Sequence, residues 1–294
     1  MCDLSSSLNP DLVVLGIDAA WTATRPSGVA LAVRRAGRWT LRAVAPSYAH
    51  FVALAQGEVL DGAPMGVVPD VVALLDAAHA LAGAPVGLVA IDMPLALTPI
   101  VARRPSDNAI ARAFGAWHCA THSPSAERPG ALSDALRAGF AAAGYPLRTR
   151  DAQAGGLIEV YPHPALVRLA GGSRRLPYKA GNSAKYWPGA PLAVRRGLLH
   201  AEWRRIAALL ATRFDALADH LPPLADHPSG IAAKAHEDML DAIVCAWVGV
   251  TALEGAADAY GDDDSAIWVP RALPEIGPEI GPEIEPGTGA RATG

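Results

Sequence analysis

Short continuous apolar runs, each closed by an acid or a turn residue, set the rhythm of the first hundred positions. "DLVVLGIDAAW" is apolar from Leu12 to Ile17 and ends in Asp18. A run this short, bounded by turn residues, predicts a buried strand. "SGVALAVRRAGRWTLRAV" predicts two further strands with "RRAGR" as the turn between them, so the first three strands form an antiparallel meander. "VVPDVVALLDAAHALAG" has helical spacing and a glycine stop at Gly83. "VGLVAIDMP" is a fourth apolar run, again ending in an acid, Asp92, and broken by Pro94.

A partly polar helical region follows over about 104–150, interrupted by the loop "THSPSAERPG". "GLIEVYPHP" predicts a fifth strand with Glu159 inside it, and "PALVRLAGG" a short helix. A long helix is expected over "PLAVRRGLLHAEWRRIAALLATRF", and a helix on "EDMLDA" closes the fold. Antiparallel strands followed by alternating helices and strands predict an α/β fold. Its sheet is mixed and five-stranded, antiparallel over the first three strands, and flanked by helices, with a helical insertion after the fourth strand. That is the ribonuclease H-like order. Residues 11–274 read as one domain between a flexible stretch at 1–10 and a tail at 275–294. The tail's "PEIGPEIGPEIEPG" repeats a unit rich in proline and glycine that cannot build a core, which predicts disorder.

Four acids stand out against this pattern. Asp18 and Asp92 end the first and fourth strands, at the sheet edge where open α/β sheets bind ligands. Asp238 and Asp241 are three apart in the run "HEDMLDAIVCAWVG", hence on one helix face with apolar residues on every side. A buried carboxylate must be paired, protonated or bound to a cation. If the helix crosses the strand ends, four carboxylates converge, and hard Mg²⁺ or Mn²⁺ prefer such oxygen ligands. Two such ions can activate a water and stabilise a leaving oxygen in phosphodiester cleavage. Each acid taken alone also suits a structural role: Asp18 capping a turn, Asp92 binding amides before Pro94, Asp238 at a helix N-terminus. Asp241, inside the helix, has no capping role.

Composition narrows the partners. The 294 residues are 51% hydrophobic and 18% charged, as in a globular protein. The net charge of −4 is uneven: eight acids and two bases beyond Glu254 leave +2 on the rest of the chain. A body that mildly basic disfavours a grip on long duplex nucleic acid and suits a branched or short one, or a small phosphodiester. "MCDLSSSLNP" lacks the basic-then-apolar pattern of a secretory leader, no apolar stretch has membrane-spanning length, and Cys2, Cys119 and Cys245 are odd in number and far apart. The expectation is a cytoplasmic protein with no membrane partner.

Other candidates carry less. Arg104, Asp107 and Arg112 in "RRPSDNAIARAFG" begin a helix, and Asp107 and Arg112, five apart, are not a helical pair. Tyr178 and Lys179, with Arg195 and Arg196 downstream, suit either a phosphate-bearing ligand or a solvated basic face. Glu159 suits an extra ligand, a substrate contact, or a strand acid paired with an arginine. His118, Cys119 and His122 in "WHCATH" lack the second half that structural zinc needs, and "LAGGSRR" suits a helix stop better than a phosphate loop.

The segments "LGIDAAW", "AIDMPLAL", "RPSDNAIAR", "IEVYPHPALVRL", "YKAG" and "EDMLDAIVCAWVG" occur in the order seen in domain-of-unknown-function family 429, and "YGDDDSAIWVP" is similar to its closing segment. The chain resembles that family over nearly its whole length. The resemblance implies a ribonuclease H-like fold. It also matches Asp18, Asp92, Asp238 and Asp241 to metal-binding positions, the last helix being similar to the closing acidic helix of Holliday-junction resolvases. It places the segment containing Arg104, Asp107 and Arg112 at the border of the site and gives Glu159 a family position. Two departures accompany it. "AAWTATRPSG" replaces a glycine-rich turn after the first acid, and Asp92 stands where resolvases use glutamate.

The expected function is therefore a metal-dependent phosphodiester hydrolase of nuclease type. Asp18, Asp92, Asp238 and Asp241 hold Mg²⁺ or Mn²⁺, and Glu159, Arg104, Asp107, Arg112, Lys179 and Arg196 border the substrate. The alternatives are an actin-like nucleotide-binding phosphotransferase and a non-catalytic ribonuclease H-like binding module. The phosphotransferase would need a second glycine-paired hairpin, where "AIDMPLALTP" has proline.

Overall fold

Residues 12–225 and 228–272 are described by a computed structural model. The expectations for 1–10 and 275–294 lie outside the described residues. β1 (Leu12–Asp18), β2 (Gly28–Arg35) and β3 (Arg38–Ala45) form the antiparallel meander. Its second turn is only Ala36 and Gly37, both at positive φ, the geometry that suits the twist of a two-residue hairpin. β4 (Leu88–Ile91) joins β1 in parallel, and β5 (Gly156–Val160) joins β4 in parallel.

Among the described residues the sheet has seven strands rather than five, in the order β3-β2-β1-β4-β5-β7-β6. The two additional strands, β6 (Ala257–Gly261) and β7 (Ala266–Pro270), are an antiparallel hairpin that pairs with β5 through Glu159↔Ile267 and Val160↔Trp268. Among the described residues this hairpin, not the acidic helix, is the last element. β6 is short, half-buried and flanked by Asp262, Asp263 and Asp264, so its pattern carries little apolar signal.

Helices cover both faces. α1 (Tyr48–Ala55), α2 (Val71–Ala82, stopped at Gly83) and α4 (Ala131–Ala142) pack on one side, against Val13, Leu15, Ile17, Val89 and Ile91. α1 is an element the apolar pattern did not predict. α3 (Pro105–Phe114) packs by Ile110 and Phe114 against Ile267 and Val269 of β7, and with α4 fills the insertion between β4 and β5. On the other face lie α5 (Pro162–Leu169), α6 (Ser183–Tyr186), α7 (Leu192–Ala211), α8 (Leu217–His220) and α9 (Gly230–Leu253). Their core includes Val14, Ala30, Ala90, Leu166, Trp203, Ala242, Ala246 and Trp247. Among the described residues no helix is long and apolar enough to cross a membrane.

α9 positions the site by lying unusually close to the sheet. A Cβ built on Gly16 would overlap the Ala242 carbonyl oxygen, and one on Gly28 would overlap the Asp238 carbonyl oxygen. One on Gly249 would come within 2.6 Å of Val14 Cγ1. Small residues on both sides let backbone approach backbone, which brings the acids of α9 to the end of β1.

Candidate active site

Ile17 and Ile91 are register partners across the parallel β1–β4 pair, so the next residues, Asp18 and Asp92, leave the sheet side by side. The Asp92 N–H donates to the Ile17 carbonyl at 2.9 Å, carrying the pairing one step past β4. Both side chains are half-buried and line one cleft.

α9 starts at Gly230, with the Ser229 side chain accepting from the Ala232 N–H, so Asp238 lies two turns inside the helix and has no N-terminal role. Asp238 and Asp241 are 3% and 0% exposed. Each is met by a lysine. Lys234, one turn earlier on α9, bonds to Asp238 and reaches Glu237 at 3.1 Å. Lys179, from the segment after α5, bonds to Asp241 and lies 3.5 Å from Glu237. The Tyr178 hydroxyl donates to Asp241 Oδ1 at 2.7 Å.

Crowding of like charge in a dry place shapes the titration of these groups. Burial pushes Asp18 up to about 7, and the charge of Asp238 adds to it while Lys179 and Lys234 pull the other way. Burial, then the charge of Asp18, drives Asp92 well above the ordinary carboxylate value. Burial lifts Asp241 to about 6 against the pull of Lys179. Burial works against the Lys179 ammonium, yet Asp241, then Tyr178, Asp18 and Glu237, hold it well above the ordinary lysine value.

The cleft above these groups has a volume of about 1310 Å³. Asp18, Asp92, Asp238, Lys179 and Lys234 line it together with Trp21, Arg25, Met65, His122 and Arg128. The Arg128 guanidinium stands 5.9 Å from the centre of the Trp21 ring. Lys234, Trp21, Arg25 and Arg128 were not singled out from the sequence. Lys234 had a readable signal, the i, i+4 spacing to Asp238. The cleft walls come from loops with no such pattern.

The remaining sequence candidates lie elsewhere. Glu159 is paired with an arginine, the third of its three readings: Arg104 donates to its two oxygens at 2.6 and 2.7 Å. Arg104 also reaches Asp107 at 2.9 and 3.1 Å, and Asp107 accepts the Arg104 N–H at 2.9 Å, so Asp107 pairs three residues back and not with Arg112. All three are buried, Arg104 bonds to both acids, and none lines the cleft. Their product is a clamp on the loop after β4: Leu95 donates its N–H to Glu159 and its carbonyl accepts from Arg104, both at 2.8 Å. That loop begins with Asp92. Arg112 on α3 and Arg196 on α7 are exposed, and neither lines the cleft. Cys119 is buried, with its Sγ donating to the Trp117 carbonyl, while His118 is exposed.

Among the described residues, no three Asp, Glu, His or Cys side chains are spaced to close on one ion. The expected four-acid cage is thus divided: Asp241 is bonded to Lys179 away from the cleft, Asp238 lines the cleft but is bonded to Lys234, and Asp18 and Asp92 face the cleft without a lysine bond. A pair of carboxylates is still a fitting donor set for Mg²⁺, which keeps several waters and is commonly held by one or two carboxylates plus substrate phosphates.

The family described as "Protein of unknown function (DUF429)" matches residues 16–266, and the chain belongs to it. No curated protein and no solved structure matches the chain. The match begins at Gly16, where α9 touches β1, and ends at Ala266 in β7, so it takes in both strand-end acids, both lysines and the acidic helix.

Proposed function

We propose that this DUF429 chain is a divalent-cation-dependent phosphodiester hydrolase on a ribonuclease H-like frame. The observation that carries the proposal is the Asp18–Asp92 pair. Two carboxylates stand on adjacent parallel strand ends, face one cleft, and repel each other in a setting that nearby lysines relieve only in part and that protons or a bound cation would relieve further. The frame is supported by the three-strand meander, by β4 and β5 running parallel beside β1, and by an acid-bearing helix crossing β1.

Asp18 and Asp92 are the residues that would hold Mg²⁺ or Mn²⁺, which when bound lowers the pKa of a water and neutralises charge on a phosphate. Asp238, whose charge bears on Asp18 and which lines the same cleft, places a third carboxylate beside that pair. Lys179 and Lys234 present ammonium groups to phosphate oxygens from the same floor. Arg25, Arg128 and Trp21 on the wall suit a sugar-phosphate strand and a stacked base. With a body charge of only about +2, the fitting substrate is a branched or short nucleic acid, or a small phosphodiester. The phosphotransferase alternative calls for a phosphate-binding hairpin after an aspartate. After Asp92 the chain instead passes Pro94 into the loop fixed at Leu95.

The direct test incubates purified protein and Mn²⁺ with single-stranded, duplex, hybrid and branched nucleic acids and with bis(p-nitrophenyl) phosphate. Cleavage of at least one, lost in Asp18→Asn and Asp92→Asn, is the expected result. No cleavage of any of them would sink the proposal and favour a binding module.

A further inference from the structure

Asp241 shares a helix face with Asp238, yet its surroundings differ from those of Asp18 and Asp92. It is 0% exposed, it does not line the cleft, and both its oxygens are taken. Oδ1 accepts from the Tyr178 hydroxyl at 2.7 Å, and Oδ2 accepts from Lys179 Nζ. Tyr178 is itself fully buried, and its carbonyl accepts from Trp203 Nε1 at 2.7 Å. Glu237, on the same helix, accepts the Ala180 N–H at 2.6 Å and stands 3.5 Å from Lys179 Nζ. Three consecutive residues, Tyr178, Lys179 and Ala180, are thus fastened to α9. Of the three, Lys179 reaches the cleft, with its side chain 20% exposed beside Asp18 and Asp92.

From this geometry we infer that Asp241 is a positioning residue and not a cation ligand: with Tyr178 it aims the Lys179 ammonium at a phosphate oxygen of the substrate. To ligate a cation, Asp241 would have to release both donors, leaving the buried Tyr178 hydroxyl without an acceptor and the Lys179 ammonium with only the longer pair to Glu237 at 3.5 Å, which is costly. A lysine is a point charge on a flexible four-carbon stem, so an aimed one needs such a fixture. The inference rests on the phosphodiester reading for its substrate and deepens it. Of the four acids, Asp18, Asp92 and Asp238 line the cleft, while Asp241 acts through Lys179.

Lysines occur only at 179, 185 and 234, so ¹³Cε-lysine protein gives few resonances, assignable with Lys185→Arg and Lys234→Arg. Dithymidine monophosphate, added with Mg²⁺, is expected to shift the Lys179 resonance in wild type and to leave it unmoved in Asp241→Asn and in Tyr178→Phe. In parallel, Asp241→Asn is expected to keep the Mn²⁺-induced rise in melting temperature that Asp18→Asn loses. Turnover in Asp241→Asn should fall about a hundredfold, the scale of a misplaced group. Lys179→Met should fall at least as far, and the double variant no further than Lys179→Met alone. A folded Asp241→Asn that loses the Mn²⁺ response, as Asp18→Asn does, makes Asp241 a ligand; it overturns the inference and leaves the hydrolase reading standing. A wild type with no Mn²⁺ response overturns the hydrolase reading instead. The Lys179 resonance then still decides: unmoved by the dinucleotide in wild type, or moved equally in Asp241→Asn, it overturns the inference.

Discussion

Gly16 of β1 and Ala242 of α9 meet backbone to backbone, with no room between them for a single methyl group. Asp18 lies two residues along β1, and Asp238 and Asp241 lie four residues and one residue before Ala242 on α9, so this contact sets how near the acids of the two elements come. Its failure should be felt at the site as well as in the core.

Gly16→Ala is expected to destabilise the chain by about 1–3 kcal/mol, the usual cost of forcing a group into a filled core. The atoms in the way are backbone atoms of Ala242 and Ala246, which cannot swing aside. At roughly 2–4 °C per kcal/mol, a thermal scan reads this as a clear fall in melting temperature. Gly197→Ala on α7, where the added carbon meets open space, should be neutral or raise it, since alanine is the better helix former by about 1 kcal/mol. Equal falls in the two variants would refute the close-approach argument.

The strand-end acids were legible because a short apolar run ending in aspartate needs no long-range information, and the i, i+3 spacing in "EDMLDA" is local too. What each acid faces was not. Lys179 is 62 residues from Asp241, and nothing near either one records the meeting. Arg104 and Glu159 are 55 apart, so a buried clamp read from sequence as a candidate substrate border. The meander and the two strands beside it announce themselves by composition, whereas among the described residues β6 pairs only with β7 and is stabilised by where it docks. Lys234 is the exception, a partner one turn from Asp238 that the chain did record.

Arg104 holds two buried acids at once, so removing it leaves both uncompensated. Arg104→Met is expected to cost about 3–5 kcal/mol, the scale for breaking a buried pair from one side. It should also loosen the Leu95 loop that carries Asp92. Arg112→Met, eight positions on and exposed, should stay within about 0.5 kcal/mol. Urea denaturation of the two variants checks both figures. A mild Arg104→Met would mean that Glu159 and Asp107 find protons or other partners at little cost.

Mn²⁺ at about a hundred times its dissociation constant should stabilise the native chain by roughly 2.7 kcal/mol. That corresponds to a rise of several degrees at about 2–4 °C per kcal/mol. Asp18→Asn and Asp92→Asn should each lose most of the rise, because each removes half of the cleft-facing pair. Lys185→Met, outside the cleft lining, should keep it. A rise that survives in both aspartate variants places the cation somewhere other than the strand ends.

Asp18 and Asp241 together predict an unusual pH dependence without metal. Asp18 is raised to about 7 and Asp241 to about 6, against an ordinary value of 3.8 for each. Between these limits the native chain holds more protons at the two sites than the unfolded chain does. The stability they confer is therefore complete below about pH 4 and is lost as the pH climbs toward about 7. Asparagine imitates the protonated acid and does not titrate. In chelator, Asp18→Asn should thus melt closer to wild type at about pH 5 and above it by a growing margin toward about pH 8. Saturating Mn²⁺ should reverse the order at the upper end, because a cation replaces the missing proton on Asp18 and finds less to bind on asparagine. A margin that stays flat across this range in chelator would show that Asp18 titrates as an ordinary carboxylate. The repulsion that motivates a cation there would then be absent.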